Sequence, residues 1–202
     1  MPSIVTHAAV PLALWCAADR GRIPPWLLAA GVVAAMLPDA DVLAFVLHIP
    51  YADAFGHRGA SHSLLFAGVL AVLAAVWAFF GSGRPWSAVS CQPRLAPTRA
   101  RPTMASTVQA TVFVFICAAS HPLLDAMTSG GLGVALAWPW SEHRFFAPWR
   151  PIRVSPFAPQ FFSARGAATL LSELRWVWLP LATAVVAWKL IQPVPAVPRE
   201  PS

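Results

Sequence analysis

The sequence predicts an all-α integral membrane protein: a helical bundle of about five transmembrane segments with one re-entrant or interfacial segment. Three observations predict it. Of 202 residues, 57% are hydrophobic and 11% charged, where a soluble domain has about 25% charged. The mean hydropathy is +0.61. The apolar residues also gather in runs of helical length, separated by stretches rich in proline, glycine and arginine. The length suits one bundle, read as a single domain over residues 1–192 with a disordered tail at 193–202.

The first span covers residues 4–18. No lysine or arginine precedes it, so it lacks the basic n-region of a secretory signal and reads as a retained helix. Asp19, Arg20, Gly21 and Arg22 end it, and Pro24-Pro25 restart the chain. The second span covers 26–37. Pro38 then breaks or kinks it, with Asp39 and Asp41 following. Residues 42–50 are apolar again, which leaves open one kinked segment with both aspartates inside. The third span begins at Ser61 or His62, with Ser61 a plausible N-cap, and continues to Phe80. Residues 81–106 hold four arginines and no acid, and read as a mobile loop outside the bilayer. The fourth span covers 107–121. Residues 126–166, with Trp138-Pro139-Trp140 and Phe145-Phe146, read as the re-entrant or interfacial segment with its connection. The last span covers 176–191.

The net charge of +6 is carried by arginine, since Lys189 is the only lysine. Basic loops on such a chain set topology and contact anionic lipid, and do not point to nucleic acid. Arg20, Arg22 and the 81–106 loop share one side, which the positive-inside rule favours as cytoplasmic. Cys16, Cys91 and Cys117 are odd in number and carry no CxxC motif, so Cys16 and Cys117 read as small core residues. The ten tryptophans read as an interfacial belt, and His48 and His143 as interface residues. Arg144, Arg150 and Arg153 could hold an anionic substrate, but the favoured reading is that they anchor to lipid headgroups.

Four polar stretches stand at the ends of these spans. They are Thr6-His7, Asp39-Ala-Asp41, His57-Arg58-Gly-Ala-Ser-His62, and His121-Pro-Leu-Leu-Asp125. Alternating crossings put His7, Asp39, Asp41, His57, His62, His121 and Asp125 on one side of the membrane. An ionisable group at bilayer depth costs about 2.5–3.5 kcal/mol even on the lenient insertion scale. A bound divalent cation offsets that cost and keeps carboxylates ionised and imidazoles neutral. A mixed His/Asp set suits zinc, or manganese or iron, and seven groups suit two metals or one metal with supporting partners. His121 and Asp125, four apart, fall on one helix face, although Pro122 disfavours helical geometry at His121.

These motifs, in this order and followed by Trp138-Pro-Trp-Ser141, resemble the family of membrane-bound, predicted metal-dependent hydrolases. That family includes the LexA-regulated inner-membrane proteins of bacteria. The resemblance covers about residues 5–145. It implies a bacterial inner-membrane protein with a metal site built from the seven residues named above. The expected chemistry is metal-dependent hydrolysis of a lipid-like or membrane-proximal ester or phosphoester. Asp41 or Asp125 is expected to accept a proton from water, and Arg58 to stabilise negative charge on a phosphoryl or acyl oxygen. Membrane lipids and a small-molecule or lipid substrate are the expected partners. A divalent-metal transporter or sensor using the same ligands is the alternative, although no internal repeat appears. No Gly-x-Ser-x-Gly elbow, Walker loop or dinucleotide fingerprint is present.

Overall fold

Helix α5 (Met104–Ala126) is the axis of the bundle, with α2 (Pro25–Met36) and α4 (Leu64–Gly81) packed against it. The computed structural model describes residues 1–19, 22–81, 103–156 and 160–192. Most of the basic loop read at 81–106 and the tail from 193 lie outside these residues. Among the described residues, three segments are long and apolar enough to cross a membrane: Pro25–Val46, Met104–Ala126 and Ala164–Ile191. Two further apolar helices, Ile4–Ala17 and Leu64–Phe80, are shorter than that. Among the described residues there is no strand, only isolated bridges such as Thr128 with Ile152.

Small residues let the central helices approach closely, as helices in lipid require. Gly31 on α2 faces Phe113 and Cys117 on α5, and Ala34, Ala35, Ala67, Ala78, Ala110 and Ala118 share the same buried core. A side chain at Gly31 would run into the Phe113 ring. This close approach fixes the height at which α5 delivers His121 beside α2.

Several boundaries differ from the sequence expectation. The second span does not stop at Leu37. It continues as a 3-10 segment, Leu37–Val42, and a short helix, α3 (Leu43–Val46), so both aspartates lie inside one kinked segment. Pro38 sits in the first turn of the 3-10 segment, where its missing N–H is tolerated. Helix α5 runs straight through Pro122 to Ala126, because Ala118, Ala119, His121 and Asp125 are all buried against neighbours and outweigh the local preference. The third span is capped by Ser63, not Ser61: the Phe66 N–H donates to Ser63 Oγ at 3.1 Å, while Ser61 Oγ turns to Asp41. The last span begins at Ala164. An amphipathic helix α6 (Ala164–Glu173) passes through one π-helical turn, Leu174–Trp178, into α7 (Leu179–Ile191). Cys117 is buried as expected, whereas Cys16 is exposed on α1 (Ala9–Ala17).

The connection between α5 and α6 covers one end of the bundle. Val134 and Ile152 are fully buried in it. Its backbone bonds tie it down: Leu64 N–H donates to Leu136 O at 3.0 Å and Ala135 N–H to Arg58 O at 3.1 Å. Arg144 pins the 48–63 loop, donating to the carbonyls of His57, Tyr51 and Asp53 at 2.9–3.1 Å. It is thus a strap between two loops, which corrects its reading as a lipid anchor.

Candidate metal centre

Beneath that cover, the four polar stretches converge. Asp39, His62, His121 and Asp125 are all buried, and one ligand atom from each lies within 4.8 Å of the others. His121 Nε2 is 2.9 Å from His62 Nε2 and 3.5 Å from Asp39 Oδ1. His62 Nε2 is 3.2 Å from Asp125 Oδ2 and 4.0 Å from Asp39 Oδ1. Donors around a single zinc, with bonds of about 2.0–2.2 Å, stand roughly 3.3–3.5 Å apart; the observed spacings straddle that value. His7 joins from the 3-10 turn Ile4–Ala8. Its Nε2 is 3.7 Å from both Asp39 Oδ2 and Asp125 Oδ1, and its ring stacks on His121 at 3.7 Å.

The imidazoles are aimed by partners behind them. His121 Nδ1 is 2.7 Å from Ala35 O. A carbonyl only accepts, so Nδ1 donates and Nε2 presents its lone pair to the cluster. His62 Nδ1 faces Asp41 Oδ2 at 3.1 Å. Asp41 itself is held by His57 Nδ1 at 2.5 Å, the Arg58 N–H at 2.9 Å and Ser61 Oγ at 2.7 Å. In a 3-10 segment, residues two apart point to different sides. Asp39 therefore faces the cluster while Asp41 faces the 57–62 loop. Asp41 and His57 stand outside the inner four, with Asp41 backing His62 and His57 backing Asp41.

Arg58 is 1% exposed and lies against the opposite wall. Its Nε is 3.1 Å from Asp125 Oδ2, an ion pair not aligned as a hydrogen bond, while Nη1 donates to Gly130 O at 3.0 Å and Nη2 to Thr128 Oγ1 at 3.1 Å. Burial lowers the Arg58 pKa from its usual value, and Asp125 opposes that shift. Burial also disfavours a charged His62, but the Asp125 and Asp41 carboxylates outweigh it and raise its pKa to about 9. A proton on His62 Nε2 then bonds to His121 Nε2, with Asp125 Oδ2 3.2 Å away as an ion-pair partner.

The residues fit a divalent cation on two counts. Both oxygens of Asp39, both oxygens of Asp125 and both nitrogens of His7 are buried without a hydrogen-bond partner. Buried polar atoms are almost always satisfied, so orphans concentrated at one point indicate a missing partner. In addition, three carboxylates (Asp39, Asp41, Asp125) against one guanidinium (Arg58) leave two formal negative charges, of which a proton on His62 offsets one.

Sequence reasoning missed Glu173. It is 1% exposed and accepts from Ser3 N–H and Ser3 Oγ, each at 2.5 Å, and from Thr6 Oγ1 at 2.7 Å. Trp178 Nε1 also donates to Thr6 Oγ1 at 3.1 Å. The last span thereby grips the turn that presents His7. The available signal was an acid in the otherwise apolar stretch Leu170-Leu171-Ser172-Glu173-Leu174, costly unless partnered.

The family model of the YdjM inner membrane protein matches residues 1–196. The chain belongs to the YdjM family. Inner membrane protein YbcI of Escherichia coli (strain K12) is 42% identical to it over 192 residues, 94% of this chain and 99% of the relative. No solved structure matches. Family, relative and the three membrane-capable helices together make this an inner membrane protein. The YdjM family and YbcI carry names that state a location and no reaction.

Proposed function

We propose that this YdjM-family protein is a metal-dependent hydrolase acting at the membrane surface on a lipid-like or membrane-proximal ester or phosphoester. The observation that carries the reading is the set of orphaned carboxylate oxygens and imidazole nitrogens buried at one point. Asp39, His62, His121 and Asp125 would hold the cation, with His7 completing the donor set; the mixture of nitrogen and oxygen suits zinc, or manganese or iron. A cation held there would supply Lewis acidity and make water acidic enough to ionise near pH 7.

The chain's own residues do the rest. Asp41 fixes the orientation of His62, and Ala35 O that of His121. Asp125 could accept a proton through Oδ1, which faces His7 while Oδ2 is engaged by Arg58. Asp41 accepts from several donors already, which leaves it the weaker candidate for that step. Arg58 stands beside Asp125, placed to stabilise negative charge developing on a phosphoryl or acyl oxygen. The direct test is turnover: protein loaded with zinc, manganese or iron should hydrolyse a phosphoester or lipid-ester panel, and chelator should stop it. Transport of the metal into liposomes without turnover of any ester would favour the transporter reading instead.

Asp41→Asn separates orientation from ligation. It is expected to weaken cation affinity by about 10–100-fold without abolishing it, the range for a partner behind a ligand. Competition with a chromogenic chelator measures this.

Cation loading should also depend on pH with a defined sign. His62 has its folded pKa raised to about 9 from 6.5, so in chelator-treated protein its stabilising contribution is complete below 6.5 and is lost as pH rises through about 9. The cation replaces that proton. Affinity should therefore rise by about tenfold per pH unit between 6.5 and 9 from this group alone. Thermal shift with and without added zinc across this range checks it.

A further inference from the structure

A cavity of about 470 Å³ adjoins the cluster on the far side of Arg58, lined by Tyr51, His57, Arg58, Gly131, Gln160 and Arg165 among others. Among the described residues, none that lines it is acidic. The Arg165 side chain has no ion pair or hydrogen bond among the described residues, and Arg58 reaches it with Asp125 already paired behind. Gly131 has φ +90, and a Cβ there would stand 2.7 Å from Arg58 Nη1 and 2.9 Å from Tyr51 Oη. The absence of a side chain thus leaves a guanidinium and a phenol facing the same wall.

The cavity lies at the depth of the span ends. Arg165 is the second residue of the span Ala164–Ile191, and Asp125, the partner of Arg58, is the last but one of Met104–Ala126. Phe162, between the lining residues Gln160 and Arg165 in sequence, is 90% exposed, an apolar ring suited to the membrane–water interface. The volume falls within the roughly 300–1,000 Å³ of ligand sites and exceeds what a bare oxyanion fills.

We propose that this cavity binds a phosphate group, held between Arg165 and Arg58 with the Tyr51 hydroxyl, and so presents a phosphate-bearing substrate to the neighbouring centre. The shared chemistry is the phosphate, whether on a lipid headgroup or free. Use of the bound group rests on the hydrolase reading; its binding does not.

The test is calorimetric titration of the full chain in mild detergent, cation-loaded and chelator-treated, with inorganic phosphate, dihexanoyl phosphatidic acid and dihexanoylglycerol. Phosphatidic acid should bind, dihexanoylglycerol should not, and Arg165→Ala should weaken binding by about tenfold or more, the effect of one charge-assisted hydrogen bond. Arg165 is exposed, so its loss leaves fold and metal content intact. Phosphatidic acid bound tenfold more tightly than phosphate assigns a lipid headgroup; equal affinities assign free phosphate. Arg165-dependent binding that survives chelation supports the cavity even if no hydrolysis is found. Binding that vanishes with the metal and ignores Arg165→Ala, or equal binding of dihexanoylglycerol, overturns the proposal and leaves the metal centre standing.

Discussion

Asp125→Ala is expected to abolish cation binding and to destabilise the protein by about 3–5 kcal/mol. Both effects follow from its double position. Oδ1 is one of the orphaned donors of the cluster, 3.7 Å from His7 Nε2. Oδ2 sits 3.1 Å from Arg58 Nε, and the guanidinium is 1% exposed. Removing the carboxylate strands a buried cation with only Gly130 O and Thr128 Oγ1 for partners. The two losses separate in the double variant Asp125→Ala/Arg58→Leu. That variant should recover most of the stability, since no charge is left unpaired, and still bind no cation. Thermal unfolding beside metal content measures both.

Asp39→Asn is expected to act in opposite directions on binding and stability. Neither oxygen of Asp39 has a hydrogen-bond partner, and the residue is 2% exposed inside a membrane-capable segment. Nothing but a cation or a protonated histidine compensates its charge. The variant should lose cation binding, because an amide oxygen is a far weaker ligand, and metal should no longer raise its melting temperature. In chelator the same variant should be at least as stable as the native protein, because a buried uncompensated carboxylate has been replaced by a neutral isostere. A buried polar residue whose removal stabilises the chelated protein is held there for binding, not for folding. Paired melting curves with zinc and with chelator resolve the two signs.

The apposition of His7, Asp39, His62, His121 and Asp125 was legible because membrane helices alternate in direction. Polar residues at alternate span ends must then share a face, and no contact information is needed to see it. The division of labour inside the cluster was not legible. Asp39 and Asp41 look equivalent as Asp-x-Asp, and only the 3-10 path of Leu37–Val42 sends one inward and the other to the loop. Pro122 argued against a helical pairing of His121 with Asp125, yet burial on several sides of α5 overrode a local preference. The roles of Arg144 and Glu173 depend on contacts between segments some 90 and 170 residues apart in sequence. No periodicity or spacing encodes such contacts. The start of the last span at Ala164 was hidden because α6 is amphipathic and carries Arg165 and Glu173, with Arg175 in the turn that follows, which read as connection.

Metal content tests the central claim most directly. The protein is purified in mild detergent without chelator, and elemental analysis is run on the native chain beside His121→Ala and Asp125→Ala. The expected result is one or two equivalents of zinc, manganese or iron in the native protein, lost in both variants. A well-folded native protein that holds no metal, even after metal is added back, would contradict it and leave the buried histidines and aspartates as helix-packing groups.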